Sequence, residues 1–332
     1  MKRPIDHIRD SAGSAKIGDG APIVAMISMA NRLLMVTTTG TYATRLADQI
    51  DPKRENINIP WAVNQREISY GSNSPFMAAT LLAAAALFQP TYLGEAFPCK
   101  EAIEIALAMA KQLAEVADII VDLQTKPKAI AKALKLAQPN RKQIDVPQTP
   151  NLLGRGEHLI LAIWRASQKL VELAELFYPK AKPGVEWRDN LQTHLDAKLP
   201  DDHKFKEIFP LIANQIAAVM SYRNAFLHPD NTKHVALVDY KLRPDMQIEP
   251  PSITITSLNH AVPTMPLVHF GMDQLNQTTE CADGLIAWLC ELNRTDLKIF
   301  EHHVERLPEG KTHAGSRLVW RTVFKDGFSP PQ

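Results

Sequence analysis

Cysteine is scarce in this 332-residue chain, with Cys99, Cys281 and Cys290 far apart and in no CxxC pair. That set excludes a disulfide-stapled scaffold, argues against structural zinc, and fits a reducing compartment. Charge imbalance is also missing: 37 Lys and Arg face 36 Asp and Glu, a formal net charge of +1. A chain this close to neutral does not attract polyanions as a whole, so any nucleic-acid contact has to come from a local patch. Long hydrophobic runs are absent too. The most lipid-like stretch, Phe76 to Phe88, is 13 residues long, below the roughly 20 that a spanning helix needs. The opening MKRPIDHIRDSAGSAKIGDG has basic residues with no apolar core behind them. No secretory signal is expected there, and cytoplasm is the default. Gly18-Asp19-Gly20 follows no strand and is no nucleotide loop, and no Ser or Cys sits in a nucleophile elbow.

What is present is ordinary core material, 45% hydrophobic and 22% charged residues, enough for a packed globular protein. The length favours two domains, or one with a large addition. Residues 21–50, with IVAMISMANRLLMV and YATRLADQI, read as one long or broken helix interrupted near Gly40 and ended by Asp51-Pro52. Residues 52–74 read as an ordered loop. Ser74-Pro75 predicts a helix start running to about Phe88. Ile103, Leu107, Ala110, Leu113, Val116 and Ile120 predict a helix that ends near Leu123. Next comes a stretch carrying Lys126, Lys128, Lys132, Lys135, Arg141 and Lys142 without an acidic residue, then a proline-rich connector. It reads either as a solvated linker helix or as a strip that contacts phosphates and releases their counterions.

The second half predicts amphipathic helices over Gly156–Phe177, Trp187–Lys198, Asp202–Leu227 (kinked at Pro210) and Val268–Leu292. Period-two alternation in VALVDYKL and SITITS predicts a β-hairpin, and Lys298–Lys325 holds two short strands, RLVWRTVF the clearer. The expected fold class is therefore mainly α: a helical bundle with an N-terminal helical region and small β-hairpin elements near the C-terminus. Expected divisions are 1–145, 150–295 and 296–332.

The chemistry concentrates at RNAFLH, Arg223 to His228, at the end of the long helix. Arg223 lies four residues after Val219 and seven after Ile216, on the apolar stripe, where a charge is costly unless paired or at work. Asn224 and His228 are four apart, so their side chains can meet. His228 lies five residues from Arg223, about 140° around a helix axis, and Pro229 stops the helix there. A histidine near neutral pKa can move a 2′-OH or leaving-oxygen proton. An arginine can hold a phosphate and the extra charge of its transition state. No metal or other cofactor is called for. DNA, lacking the 2′-OH, should resist.

This element resembles the Arg-(four to six residues)-His signature of the HEPN superfamily of helical ribonucleases, over roughly residues 150–295. The resemblance implies Arg223 as phosphate binder, Asn224 as polar support and His228 as acid or base. It further implies RNA as partner, a homodimer in which two motifs form one site, and a defence or toxin role. A regulatory or antitoxin partner is possible on the same ground, but toxins silenced by a nucleotidyltransferase carry a tyrosine two residues after the histidine. Here Asp230 stands at that position. The alternative is a non-catalytic HEPN-like module for RNA or nucleotide binding or for dimerisation. A third reading is a structural subunit with no nucleic-acid role. Two other spacings compete, Arg188 to His194 within RDNLQTH and Arg306 to His313 across Pro-Glu-Gly. Glu301-His302-His303-Val304-Glu305 has metal-ligand residue types, but adjacent histidines point apart on a helix or a strand, and no third ligand group is evident. Trp187, Trp288 and Trp320 read as core anchors.

Overall fold

The computed structural model describes residues 3–11, 17–18, 20–29, 32–135, 146–180, 184–245, 247–295 and 297–325, with the side chains of 125–135 outside the description. In chain order it begins with α1 (Pro4–Arg9), β1 (Ile23–Ser28), β2 (Leu33–Thr37), β3 (Thr41–Leu46), α2 (Ala47–Ile50) and β4 (Ala62–Ile68). A composite helix follows, α3 (Pro75–Met77), a π-helical turn (Ala78–Leu82) and α4 (Ala83–Leu87), then α5 (Pro90–Leu93) and α6 (Cys99–Lys135). The middle holds α7 (Leu152–Phe177), α8 (Trp187–Lys198), α9 (Lys204–Leu227), β5 (His234–Val238), β6 (Lys241–Leu242), β7 (Ile248–Glu249), β8 (Ser252–Thr256) and β9 (Val262–Pro266). Helix α10 (Leu267–Leu292) and strands β10 (Phe300–Arg306) and β11 (Leu318–Phe324) complete it. Among the described residues, no helix is long and apolar enough to cross a membrane.

The expectation of a mainly helical bundle is corrected. The chain is mixed α/β, about 49% helical and 20% strand. Its described residues form four sheets, one of them four-stranded and antiparallel in the order β1-β2-β3-β4. That sheet lies where the long helix over 21–50 and the loop over 52–74 were expected. IVAMIS and LLMVT are short, nearly continuous apolar runs, and periodicity alone does not separate such runs from a buried helix. Gly40 is a hairpin corner: the Thr37 hydroxyl accepts from the Gly40 amide at 2.9 Å and donates to the Gly40 carbonyl at 3.0 Å. The backbone N–H of Thr37 also donates to that carbonyl, at 2.8 Å. A side chain that closes a turn locally competes with helix formation.

Two compact units divide the chain, Met1–Leu107 with Cys290–Gln332, and Ala108–Leu289. In the first, the sheet buries Leu34 and Val36, and the composite helix buries Met77, Leu81, Leu82 and Leu87. Pro75 stands in the first helical turn, as the sequence signals, although the Ser74 side chain makes no capping bond. Helix α1 is tied down by charge: Arg9, 7% exposed, reaches Asp48 at 3.3 Å and Asp51 at 3.4 Å. Strands β10 and β11 pair antiparallel from Phe300↔Phe324 to Arg306↔Leu318.

Gly71 in this unit permits a backbone crossing. A Cβ there would lie 2.1 Å from the Thr37 carbonyl oxygen and 2.6 Å from the Thr38 carbonyl carbon, while the next two amides bond to those same carbonyls at 2.9 and 3.2 Å. Backbone cannot move aside as a side chain tip can. Gly71→Ala is expected to lower stability by about 2–3 kcal/mol, visible in a thermal or denaturant melt. An unchanged melt would show that the crossing tolerates a methyl group.

The second unit packs the latter part of α6, α7, α9 and α10 around one core that also takes in β8. Val116, Ile120, Leu159, Ile163, Val219, Tyr222, Ile253, Ile255 and Phe270 meet there. The expected pairing of the two alternating segments is observed as β5 with β8, registered Ala236↔Thr254, and β9 extends it to a three-stranded sheet β5-β8-β9. Gly156 lets α7 approach this sheet, since a Cβ there would sit 2.4 Å from Leu237 Cδ1.

Candidate functional site

Helix α9 starts at His203, whose Nδ1 accepts from the Phe205 amide at 3.2 Å, and it runs unbroken through Pro210. Phe205, Phe209, Ile212, Ile216, Val219, Tyr222 and Ala225 are buried along it. This is one apolar stripe at helical spacing, so packing fixes how the last turn is rotated. Tyr222 meets Phe270 edge-on, with ring centroids 5.7 Å apart, and burial pushes its phenol pKa up. The Ser221 hydroxyl pairs with that of Ser257 at 2.6 Å, tying the end of α9 to the residue after β8. Rotation and height are both set before Arg223 is reached.

Arg223 is half-buried. Its Nη1 donates to Asn224 Oδ1 at 2.9 Å, and its guanidinium lies over the Trp164 ring of α7, 5.2 Å from the centroid. The negative face of an indole favours a cation there. Among the described residues, no carboxylate oxygen lies within 4.0 Å of this guanidinium. An arginine oriented by an amide and a ring, with no anion beside it, is poised for an anionic ligand. Its Nε and the Trp164 Nε1 are sealed from solvent without hydrogen-bond partners, a cost in desolvation that the stack offsets in part. The guanidinium therefore offers its Nη edge.

His228 caps the helix. It leaves helical geometry at φ −134°, ψ 59°, and its backbone N–H bonds to the Asn224 carbonyl at 2.9 Å. Its side chain is exposed, and its imidazole makes no hydrogen bond among the described residues. Asn224 thus spends its side-chain oxygen on Arg223 and meets His228 through backbone. Beyond Pro229, Asp230 is locked into a turn by the Thr232 hydroxyl and the amides of Thr232 and Lys233, and its carboxyl pKa drops to about 2. It is anionic at any working pH.

Trp164 carries no signal in the sequence for this position. It follows Ile163 on the expected helix, and nothing local says that it lies under an arginine on another helix.

The competing spacings come out differently. Arg188 is exposed on the wall of a cavity of about 600 Å³ that Glu172, Glu175, Glu186, Asp189 and Lys180 also line, Lys180 paired with Glu175 at 2.8 Å, so the carboxylates outnumber the cations and disfavour phosphate. His194 packs on Tyr178, centroids 5.0 Å apart. Arg306 ends β10, and His313 engages Ser316 through a backbone bond at 2.8 Å. In the Glu-His-His-Val-Glu segment the two histidines do point apart. His302 is buried against Tyr92, while His303 reaches Glu291 at 3.0 Å and Glu301 at 3.4 Å. The tryptophans read as anchors are engaged in packing: Trp187 on Phe209, Trp288 on Phe205 and Trp320 on Tyr92. Burial pushes the Cys281 thiol up to about 11 and those of Cys99 and Cys290 above the ordinary value, so none is an activated nucleophile. Of the basic strip, Lys126, Lys128, Lys132 and Lys135 fall on α6 with side chains outside the described residues, and Arg141 and Lys142 lie outside them altogether.

No family model, no curated protein and no solved structure matches the chain. The functional reading rests on its own residues.

Proposed function

We propose that the chain is a metal-independent, HEPN-type RNA endonuclease acting at Arg223, Asn224 and His228. The observation that carries the reading is the Arg223 guanidinium. It is oriented by Asn224 and Trp164, has no carboxylate beside it among the described residues, and stands five residues from an exposed imidazole. Arg223 binds the scissile phosphate through its Nη edge and stabilises the charge that builds on the non-bridging oxygens. The 2′ oxygen attacks phosphorus, the bond to the 5′ oxygen breaks, and one proton leaves the 2′-OH as another reaches the leaving oxygen. His228 moves one of these protons. A homodimer, with a second motif facing the first, supplies the other imidazole. The strip from Lys126 to Lys142 provides the local positive field that the neutral chain lacks as a whole. A cytoplasmic defence or toxin effector under the control of a regulatory partner fits this activity.

Incubating the protein with a labelled oligoribonucleotide in EDTA tests the reading. The expected products are fragments ending in a 2′,3′-cyclic phosphate and a 5′-OH, with the deoxy analogue intact. Cleavage that needs added metal, or fragments with a 5′-phosphate, would remove the proposal.

One observation favours a second reading, a non-catalytic module that binds RNA or nucleotide. With Arg223 Nε and Trp164 Nε1 both sealed, the guanidinium has only part of its fork to offer. That reading predicts salt-sensitive binding without products, unchanged by His228→Ala.

A further inference from the structure

Among the described residues, strand β1 ends the four-stranded sheet and has β2 on one side only. Its sequence, Ile23-Val24-Ala25-Met26-Ile27-Ser28, contains no charge and no proline, the usual means of blunting an open edge. The ladder fixes which groups β2 leaves unused. The Met29 amide bonds to the Arg32 carbonyl at 2.9 Å, and the register continues through Ile27↔Leu34 and Ala25↔Val36. Because antiparallel strands alternate their bonding direction, the amides and carbonyls of Met26 and Ser28 face away from β2.

That edge opens on a cavity of about 500 Å³ lying wholly within the first unit, within the range of about 300–1,000 Å³ that ligand sites occupy. Val24, Ala25, Met26 and Ile27 all line it. A surface that meets one face of a strand touches alternate residues, so four consecutive ones mean contact along the edge. Ala85 and Ala86 of α4 add small side chains, and Trp320 of β11 adds an aromatic one. Trp320 is fixed by its Nε1–H, which donates to the Leu87 carbonyl at 2.9 Å, and by stacking on Tyr92 at 4.8 Å. Among the described residues no Asp, Glu, Lys or Arg lines the cavity, whose polar side chains are Gln89, Tyr92 and His313, and Met26 in its wall is 67% exposed.

We propose that this trench is a strand-acceptor site: an extended, uncharged and apolar segment of a partner protein adds to β1 as a further strand, with its side chains against Ala85, Ala86 and Trp320. The occupant's chemistry follows from the edge. Peptide groups that face away from β2 are satisfied by another peptide backbone, and a lining without a carboxylate, lysine or arginine disfavours a charged side chain. The inference is independent of the nuclease reading, which concerns residues of the other unit.

The probe is acetyl-Val-Thr-Val-Thr-Val-amide, added to the full chain, with amide hydrogen exchange followed at Met26 and Ser28. Saturating peptide is expected to slow both amides by about tenfold or more, and a copy with alternate N-methylated residues is expected to leave them unchanged. Met26→Pro, which removes an N–H that β2 does not use, is expected to abolish protection of Ser28. Three results overturn the proposal: no protection at millimolar peptide, equal protection by the N-methylated copy, or amides already protected in peptide-free protein of doubled mass. The second would indicate an apolar pocket only, and the third a second copy on the edge.

Discussion

His228→Ala is expected to slow single-turnover cleavage of an oligoribonucleotide by about 10²- to 10⁴-fold, the range for losing a positioned acid or base, with helical content and melting temperature unchanged. The second half of that expectation follows from the position of the residue. The imidazole is exposed and makes no described side-chain bond, and the helix cap it forms uses only its backbone, which alanine retains. Arg223→Ala is expected to cost about 10²- to 10³-fold, as for one lost donor to a transition-state oxyanion. Arg223→Lys is not expected to restore activity, because a point charge cannot reproduce a planar fork stacked on an indole. The arginine variants also lose a cation–π contact worth about 0.5–2 kcal/mol, so their melts have to be read beside their rates. Cleavage retained in both His228→Ala and Arg223→Ala would end the nuclease reading. Loss of RNA binding in Arg223→Ala alone, with no products from any form, would favour the binding module.

The helices were legible where spacing and punctuation agreed. Trp187–Lys198 was bracketed by Pro183-Gly184 and Pro200, and its bounds match α8. The apolar spacing stops at Phe177, Pro229 stops the helix that carries Arg223, and α7 and α9 end at Phe177 and Leu227. The sheet over residues 23–68 was not legible. Its strands are five to seven residues long, and IVAMIS and LLMV are so uniformly apolar that neither period emerges. Strand β4, with Asn64, Gln65, Arg66 and Glu67 in a row, looked like loop because its exposed face dominates its composition. At the site, the placing of His228 at a helix end was written in the sequence, but the Asn224 side chain, expected to reach His228, instead accepts from Arg223 Nη1. The Trp164 face was not written there, since it depends on how α7 and α9 pack. Packing is long-range information that local pattern does not carry. The orphaned Nε atoms of Arg223 and Trp164 were likewise invisible until both side chains had positions.

That dependence on packing makes Phe270 the residue on which the candidate site leans most. Phe270 is 1% exposed and meets Tyr222 edge-on one residue before Arg223, in the same core as Val219 and Ala225. Phe270→Ala deletes a fully buried ring, so the cost is transfer plus cavity, about 3–5 kcal/mol. That is a large share of the total for a domain. Phe270→Leu keeps most of the volume and is expected to cost about 1.5 kcal/mol or less. Leu211→Ala is the control on the same helix. Leu211 is 70% exposed, and its truncation is expected to stay within about 0.5 kcal/mol. Denaturant melts order the three. If the core merely keeps α9 folded, cleavage by Phe270→Leu falls only with its unfolded fraction. If it also sets the rotation of the last turn, Phe270→Leu loses rate while still folded, because on the proposed reading a misplacement of the Arg223 fork by about 1 Å costs up to about 10²-fold. The second outcome is expected, since Tyr222 and Arg223 share one turn of helix and cannot rotate independently.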